Sequence, residues 1–273
     1  MGSRSISVGQ NQPAPASSSK EAIQINSVAK NSRAAEIMRT GVVFSPLDPI
    51  LSSPVPYGSA WMVRGDSGIG KTVFAFQFCL QALRRGEAVV YVSCDEDPRR
   101  TQANLARFGF GVAPYIDSRQ LVFVDAFSET PGPQYVISDR TDAEEFAYVI
   151  GNAVSAAGEV VRIVVDSVTS LAAYYSSRDL VNLVYEKNRL LRSDTSVLLD
   201  LYLGQAVESQ SMYCLTNAYD VTVDLYYGEE QGGFPRRSLR VRKVRGGTFD
   251  PREFPFRIEP HQGIRVDATF YSK

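Results

Sequence analysis

The stretch Gly65-Asp66-Ser67-Gly68-Ile69-Gly70-Lys71-Thr72 has the spacing G-x-x-x-x-G-K-[ST], and nothing else in the chain restricts its fold so strongly. A triphosphate carries dense negative charge that must be met by closely spaced donors. Glycines let successive backbone N–H groups curl around it where a bulky side chain would obstruct. In that frame Lys71 reaches the β and γ phosphates as a point charge, and the Thr72 hydroxyl ligates the Mg²⁺ that bridges them. The setting around the loop agrees. Ala60-Trp61-Met62-Val63 is a short apolar run that reads as a buried strand, and 73–83 contains neither Gly nor Pro and reads as a helix. The phosphates then lie at the helix N-terminus, where unpaired N–H groups and the helix dipole favour an anion. All eight residues of the loop are therefore candidate nucleotide-binding residues.

With 273 residues, 44% of them hydrophobic, the chain can bury a sizeable core. The simplest division is a tail over 1–22 and one domain over 23–273. The tail is rich in Ser, Gly, Gln and Pro and has scarcely any large apolar side chain, so it cannot recover the entropy cost of ordering. A formal net charge of −1 gives no global attraction to nucleic acid or to an acidic membrane surface. No apolar run approaches a membrane span, so a cytoplasmic protein is expected. Cys79, Cys94 and Cys214 lie far apart without a C-x-x-C spacing and are expected to be buried thiols.

Along the chain, 88–92 is a second apolar run, followed by Asp95, Glu96 and Asp97 and a helix over about 98–107. A third strand at 121–124, a helix around 143–155 and a fourth strand at 161–165 continue the alternation, which means a mostly parallel sheet flanked by helices. The region 180 to about 207 reads as largely helical, with Leu180, Leu183, Val184, Leu190 and Leu191 spaced for a buried stripe, and 212–215 reads as the fifth strand. Beyond Asp220 the texture changes to strands at 221–227, 239–244, 254–258 and 264–266 without helices between them. The first two are joined through Gly232-Gly233, and the group predicts a C-terminal antiparallel extension.

Three further groups complete the expected site. Residues 162–166 form an apolar strand ending in Asp166, the carboxylate that would hold Mg²⁺ through water opposite a phosphate loop. An isolated Asp at a strand end is more often a turn residue or a helix cap; downstream of a phosphate loop the metal reading prevails. Asp95 and Glu96 end the strand expected between the two nucleotide-binding strands, so one of them is a candidate catalytic base, while Glu96 and Asp97 also suit the start of the next helix. The one dense basic run is 236–245. Alternation puts Lys243 and Arg245 on one face with Leu239 and Val241, as candidates to stabilise transition-state charge. A charge-guarded edge strand and a local nucleic-acid contact compete with that reading.

Taken together, residues 65–72, Tyr91-Val92-Ser93-Cys94-Asp95-Glu96, residues 162–167, Lys243-Val244-Arg245-Gly246, Pro255-Phe256 and Gly263-Ile264-Arg265-Val266 resemble the KaiC-like branch of the RecA superfamily, over roughly 40–266. The resemblance implies a RecA-like P-loop NTPase core and an ATPase that uses ATP and Mg²⁺. It also implies a homo-oligomeric ring, usually a hexamer, with nucleotide between subunits and Lys243 and Arg245 acting on the neighbour's nucleotide. In that family the paired acids usually read Glu-Glu. Asp95 stands in place of the first, one methylene shorter, which leaves open whether Asp95 or Glu96 is the base and implies slow hydrolysis. The segment matching the family's autophosphorylation pair reads Thr216-Asn217-Ala218-Tyr219, so autokinase activity is not expected. His261 resembles a turn position. The leading expectation is an ATPase that couples nucleotide state to an unidentified protein partner. A DNA-binding recombination protein and a nucleotide-stabilised scaffold are the alternatives, the former disfavoured because only 217–220 separates the expected fifth strand from the next.

Overall fold

The computed structural model describes residues 32, 34–128, 134–204, 207–231 and 234–267, without the side chains of 229–231 and 234. The expected tail over 1–22, its boundary, and the turn at Gly232-Gly233 lie outside the described residues. Residues 1–37 form a unit of their own, described only at Ser32 and 34–37, which are helical.

The second unit, from Met38 on, carries the elements β1 (Ala60–Gly65), α1 (Lys71–Arg85), β2 (Ala88–Ser93), α2 (Pro98–Arg107), α3 (Ala113–Asp117), β3 (Leu121–Asp125), α4 (Ala143–Ala157), β4 (Val161–Asp166), α5 (Val168–Leu171), α6 (Ser177–Leu191), β5 (Ser196–Leu203) and α7 (Ser209–Asn217). Then come β6 (Val221–Gln231), β7 (Phe234–Val244), β8 (Phe254–Glu259) and β9 (Gly263–Val266). They build one sheet in the order β3-β2-β4-β5-β1-β6-β7-β8-β9. The strands from β3 to β6 run parallel, and β7, β8 and β9 add antiparallel pairs, as expected from the loss of helices after Asp220.

Parallel strands covered on both faces need apolar side chains in both directions, and β2 is buried at every position. On one face α1 packs Phe78 against Trp61, with ring centroids 5.5 Å apart, and Phe74 against Phe44 at 4.6 Å. On the other face α4, α6 and α7 cover Ala60, Met62, Val90, Ile163 and Leu198. Helix starts follow the local chemistry. Asp142 accepts from the Glu144 and Glu145 N–H groups at the start of α4, Ser176 accepts from Asp179 N–H at the start of α6, and Gly86 closes α1 in the left-handed conformation. Among the described residues no helix is long and apolar enough to cross a membrane.

The structure corrects the sequence reading between 192 and 217. The helix expected to run to about 207 stops at Leu191, and Ser196–Leu203 is the strand β5. Seven of its eight residues are buried, so it lacks the alternation that marks a half-exposed strand, and its leucines read equally well as helix. The expected strand at 212–215 lies inside α7, whose Met212 and Leu215 fall three apart on the face turned to the core. It follows that β5, not β2, lies between β4 and β1. The link between strands is then 204–220 rather than 217–220, so shortage of room is no argument against a DNA-contacting loop there. Cys79 and Cys94 are buried free thiols, but Cys214 is exposed on α7.

A second correction concerns the basic strand. The β6–β7 register pairs Val223 with Val241 but Thr222 with Lys243, so Arg242 is an extra residue in a bulge. Leu239 and Val241 stay on the α1 face, whereas Lys243 and Arg245 share the opposite face. Simple alternation cannot register that slip.

Charge is buried in the core as connected groups. Lys187 Nζ on α6 lies 2.8 Å from Asp200 on β5 and 2.8 Å from Asn188 Oδ1, with both charged side chains essentially without exposure. Tyr219 donates to the same carboxylate and shares a 2.7 Å hydrogen bond with Tyr202. Breaking one partner of such a pair leaves an uncompensated buried charge. Lys187→Met should therefore lower the unfolding free energy in urea by about 3–5 kcal/mol, and adding Asp200→Leu should restore most of it. A single variant as stable as the wild type would refute this.

Candidate active site

The loop Gly65 to Thr72 leaves the carboxyl end of β1 and runs straight into α1. Gly65 is the tightest point. A Cβ there would stand 2.4 Å from the Leu225 carbonyl oxygen, while Gly204 N–H donates to the Gly65 carbonyl at 3.0 Å. Gly68, at φ +74° with open space around it, is required for conformation instead. Ile69 is fully buried and anchors the loop, whereas Asp66, Ser67 and Gly68 are exposed. Lys71 Nζ folds back onto the Gly65 and Asp66 carbonyl oxygens at 3.0 and 2.9 Å. Burial lowers its pKa, against the opposing pull of Asp166, Asp66 and Asp95.

Asp166 ends β4 on the face that carries α1. Tyr91 donates its hydroxyl to Asp166 Oδ2 at 2.6 Å, and the Thr72 side chain also hydrogen-bonds to this carboxylate. Burial drives the Asp166 pKa up to about 6, and these hydrogen bonds and Lys71 only partly offset it. The two expected metal ligands, Thr72 and Asp166, are thus brought into contact. They offer a hydroxyl and a carboxylate, the hard oxygen donors that suit Mg²⁺, an ion that keeps several waters and takes only one or two protein ligands beside phosphate oxygens. Among the described residues no cluster of three or more His, Cys, Asp or Glu could hold a metal unaided.

The structure parts Asp95 from Glu96. Asp95 accepts from Ser167 Oγ at 3.4 Å and from Ser170 Oγ, and it lines a cavity of about 500 Å³ together with Ser67 and Lys71. Burial raises its pKa. Glu96 turns to α2, where it accepts from Thr101 Oγ1 at 3.1 Å and from Asn104 Nδ2 at 3.1 Å and pairs with Arg100 at 3.3 Å. Asp97 caps α2 through the Arg99 N–H.

Lys243 and Arg245 are not brought to the phosphate loop of the same chain. Lys243 lies opposite Thr222, which lies opposite Met62, and the Arg245 N–H bonds to Asp220 O beside Ala60. The loop departs from Gly65, so roughly 15 Å of strand separates Arg245 from it. Both cations rest on the end of α7: Lys243 Nζ on Thr216 O at 3.0 Å, and Arg245 Nη2 on Asn217 O at 2.9 Å with Nε 3.4 Å from Asp220. Asp220 in turn accepts from the Ala60 N–H at 2.9 Å and pairs with Arg192.

Sequence reasoning assigned no role to Tyr91, Ser167, Ser170, Asp220 or Arg140. A tyrosine hydroxyl inside an otherwise apolar buried run was a usable signal for Tyr91, because a buried hydroxyl needs a partner. The others are set by tertiary placement alone.

Comparison with known proteins bears on the family and the fold. The family model described as "ATPase: KaiC" matches residues 38–269. A UPF0273 protein of Methanopyrus kandleri is 33% identical, over 86% of this chain and 93% of that protein. The circadian clock oscillator protein KaiC of Synechococcus elongatus is 26% identical over 89% of this chain, which spans 47% of the clock protein's length. The crystal structure of a KaiC-like protein from Pyrococcus horikoshii superposes with a TM-score of 0.68, covering 84% of this chain and 99% of that one at 23% identity, a likeness of fold. The chain belongs to the KaiC family of ATPases, within the RecA-like P-loop NTPase superfamily.

Proposed function

We propose that the protein binds ATP with Mg²⁺ and hydrolyses it slowly at sites shared between neighbouring copies in a closed ring, six on the family pattern, and that nucleotide state governs the binding of a protein partner. The observation that carries this reading is the separation of Lys243 and Arg245 from the start of their own phosphate loop, by about half and by most of the length of β1 respectively. Two cations at the end of a bulged strand that cannot serve the site in cis are well placed to serve one in trans. Repetition of such a head-to-tail contact closes into a ring when the rotation allows. Arg240 and Arg242 are already engaged by Pro251 O, Glu253 and Asp224, which leaves the basic strand poorly suited to nucleic acid.

In this reading the loop's N–H groups and the α1 N-terminus hold the β phosphate, and Lys71 leaves its carbonyl partners for the β and γ oxygens. Mg²⁺, held by Thr72 and Asp166, would neutralise charge on those oxygens. Asp95, whose pKa burial raises, takes the proton of the attacking water and is favoured over Glu96, which α2 occupies. Its shorter side chain accounts for slow turnover.

Lys71→Ala and Arg245→Ala should each lower phosphate release from ATP, the latter by roughly a thousandfold or more. Mixed one to one and allowed to exchange, the two inactive variants should regain roughly a quarter of the wild-type rate, because one interface in four pairs an intact loop with an intact arginine. No recovery in rings shown to exchange would place the whole site within one chain.

The buried Asp166 carries a stability penalty with a defined sign. Its folded pKa of about 6 lies above its ordinary 3.8, so the folded chain takes up the proton more readily than the unfolded chain. The penalty is full above about pH 6 and disappears as pH falls towards 4. In metal-free urea titrations, Asp166→Asn should therefore be more stable than the wild type by about 3 kcal/mol at pH 8 and no more stable near pH 4. An equal difference at both values would show that ionisation is not its source.

A further inference from the structure

Arg140 follows β3 and lines the same cavity as Lys71 and Asp95. Its guanidinium lies 5.8 Å from the Phe127 ring centroid and 5.6 Å from that of Tyr174, donates from Nη1 to Tyr174 Oη at 2.8 Å, and donates from Nη2 to Phe127 O. Both rings are more than 40% exposed, so they serve as a platform for the cation rather than as core. Among the described residues no carboxylate pairs with Arg140, whereas Arg64, Arg162, Arg192 and Arg242 each have one. Tyr174 lies four residues beyond Ser170, whose hydroxyl holds Asp95. A guanidinium held by two hydrogen bonds and no carboxylate therefore lines the same cavity as the carboxylate at which water would be activated.

We propose that Arg140 binds the inorganic phosphate released by hydrolysis and holds it in this cavity beside ADP. The inference rests on the nucleotide reading above and goes beyond it by assigning a product site. In the reaction the water oxygen bonds to the γ phosphorus as the bond to the β,γ-bridging oxygen breaks. ADP leaves with that oxygen, and the proton passes through Asp95 to solvent. The phosphate dianion then shares the cavity with the carboxylate of Asp95, and a cation beyond Lys71 offsets that repulsion as it moves away from ADP. Arg140 is the one other cationic side chain on the described cavity wall. Its planar fork suits two phosphate oxygens, and its aromatic platform keeps the fork aimed without a carboxylate that would compete for it.

The test is calorimetric titration of inorganic phosphate into the full-length protein saturated with Mg²⁺ and ADP. The wild type should bind phosphate, Arg140→Gln should bind it at least tenfold more weakly, and Arg140→Lys should fall between, with ADP affinity unchanged in both variants. Melting of the ligand-free proteins separates loss of the site from loss of the fold, and the lysine variant keeps the test open if the glutamine variant does not fold. Phosphate that fails to bind the ADP-loaded wild type, or that binds Arg140→Gln equally well, overturns the inference. Failure of ADP itself to bind overturns the nucleotide reading beneath it.

Discussion

Pairing of β1 on both sides, with β5 along one edge and β6 along the other, fixes where the phosphate loop begins. A strand hydrogen-bonded in parallel on both edges cannot slide, so the chain must turn off at Gly65, where Leu225 O stands too close for any side chain and Gly204 N–H holds the carbonyl. The loop therefore starts from a fixed point, and α1 begins at once with Val73, Phe74, Ala75 and Phe76 all buried. Asp166 is then two strands away on β4, a position that only the insertion of β5 can set. Small adjustments of the loop remain available, but its origin and its distance from Asp166 are not adjustable without breaking the sheet.

Buried charge holds the two faces of this sheet in one arrangement. On the α1 face Arg162 forms two bonds to Glu87, at 2.7 and 3.0 Å, with its guanidinium 4.4 Å from the Phe78 ring, and both partners are wholly buried. On the opposite face the Lys187–Asp200 pair with Tyr219 and Tyr202 joins α6, β5 and the approach to β6. Desolvation makes such pairs poor sources of net stability, yet a misplaced partner would be costly, so they disfavour alternative packings. Asp220 extends the same logic to the surface: the carboxylate that receives the Ala60 N–H also pairs with Arg245. The position of that arginine is tied to the first residue of the strand that carries the phosphate loop.

Much of this was legible in the sequence wherever a local rule was strong. The loop, β1, α1, β2, β4 with Asp166 and the C-terminal strands followed from glycine spacing, apolar runs and turn residues. What failed did so for identifiable reasons. β5 is leucine-rich and buried on both faces, so periodicity could not separate it from helix, and misplacing it displaced α7 and the strand order as well. The face of Lys243 depends on one extra residue at Arg242. Asp95 and Glu96 are neighbours of similar chemistry, and their separation comes from Thr101 and Asn104 on α2, which no spacing rule links to them.

On the proposed reading, both working cations are already satisfied within their own chain, and this bears on what kind of ATPase it is. Lys71 rests on two carbonyl oxygens, and Arg245 on Asn217 O and Asp220. Arrival of a phosphate at either is an exchange of partners rather than the filling of a vacancy, and exchanged hydrogen bonds contribute far less than new ones. A site built this way gains little from each step taken alone, whether nucleotide entry or the neighbour's approach. Nucleotide entry supplies charged oxygens to Lys71, but Arg245 is compensated for loosening its hold on Asp220 only when a neighbour presents bound nucleotide, so the gain at Arg245 requires both. On that reading assembly and nucleotide binding are coupled through the same few contacts, each raising the affinity for the other.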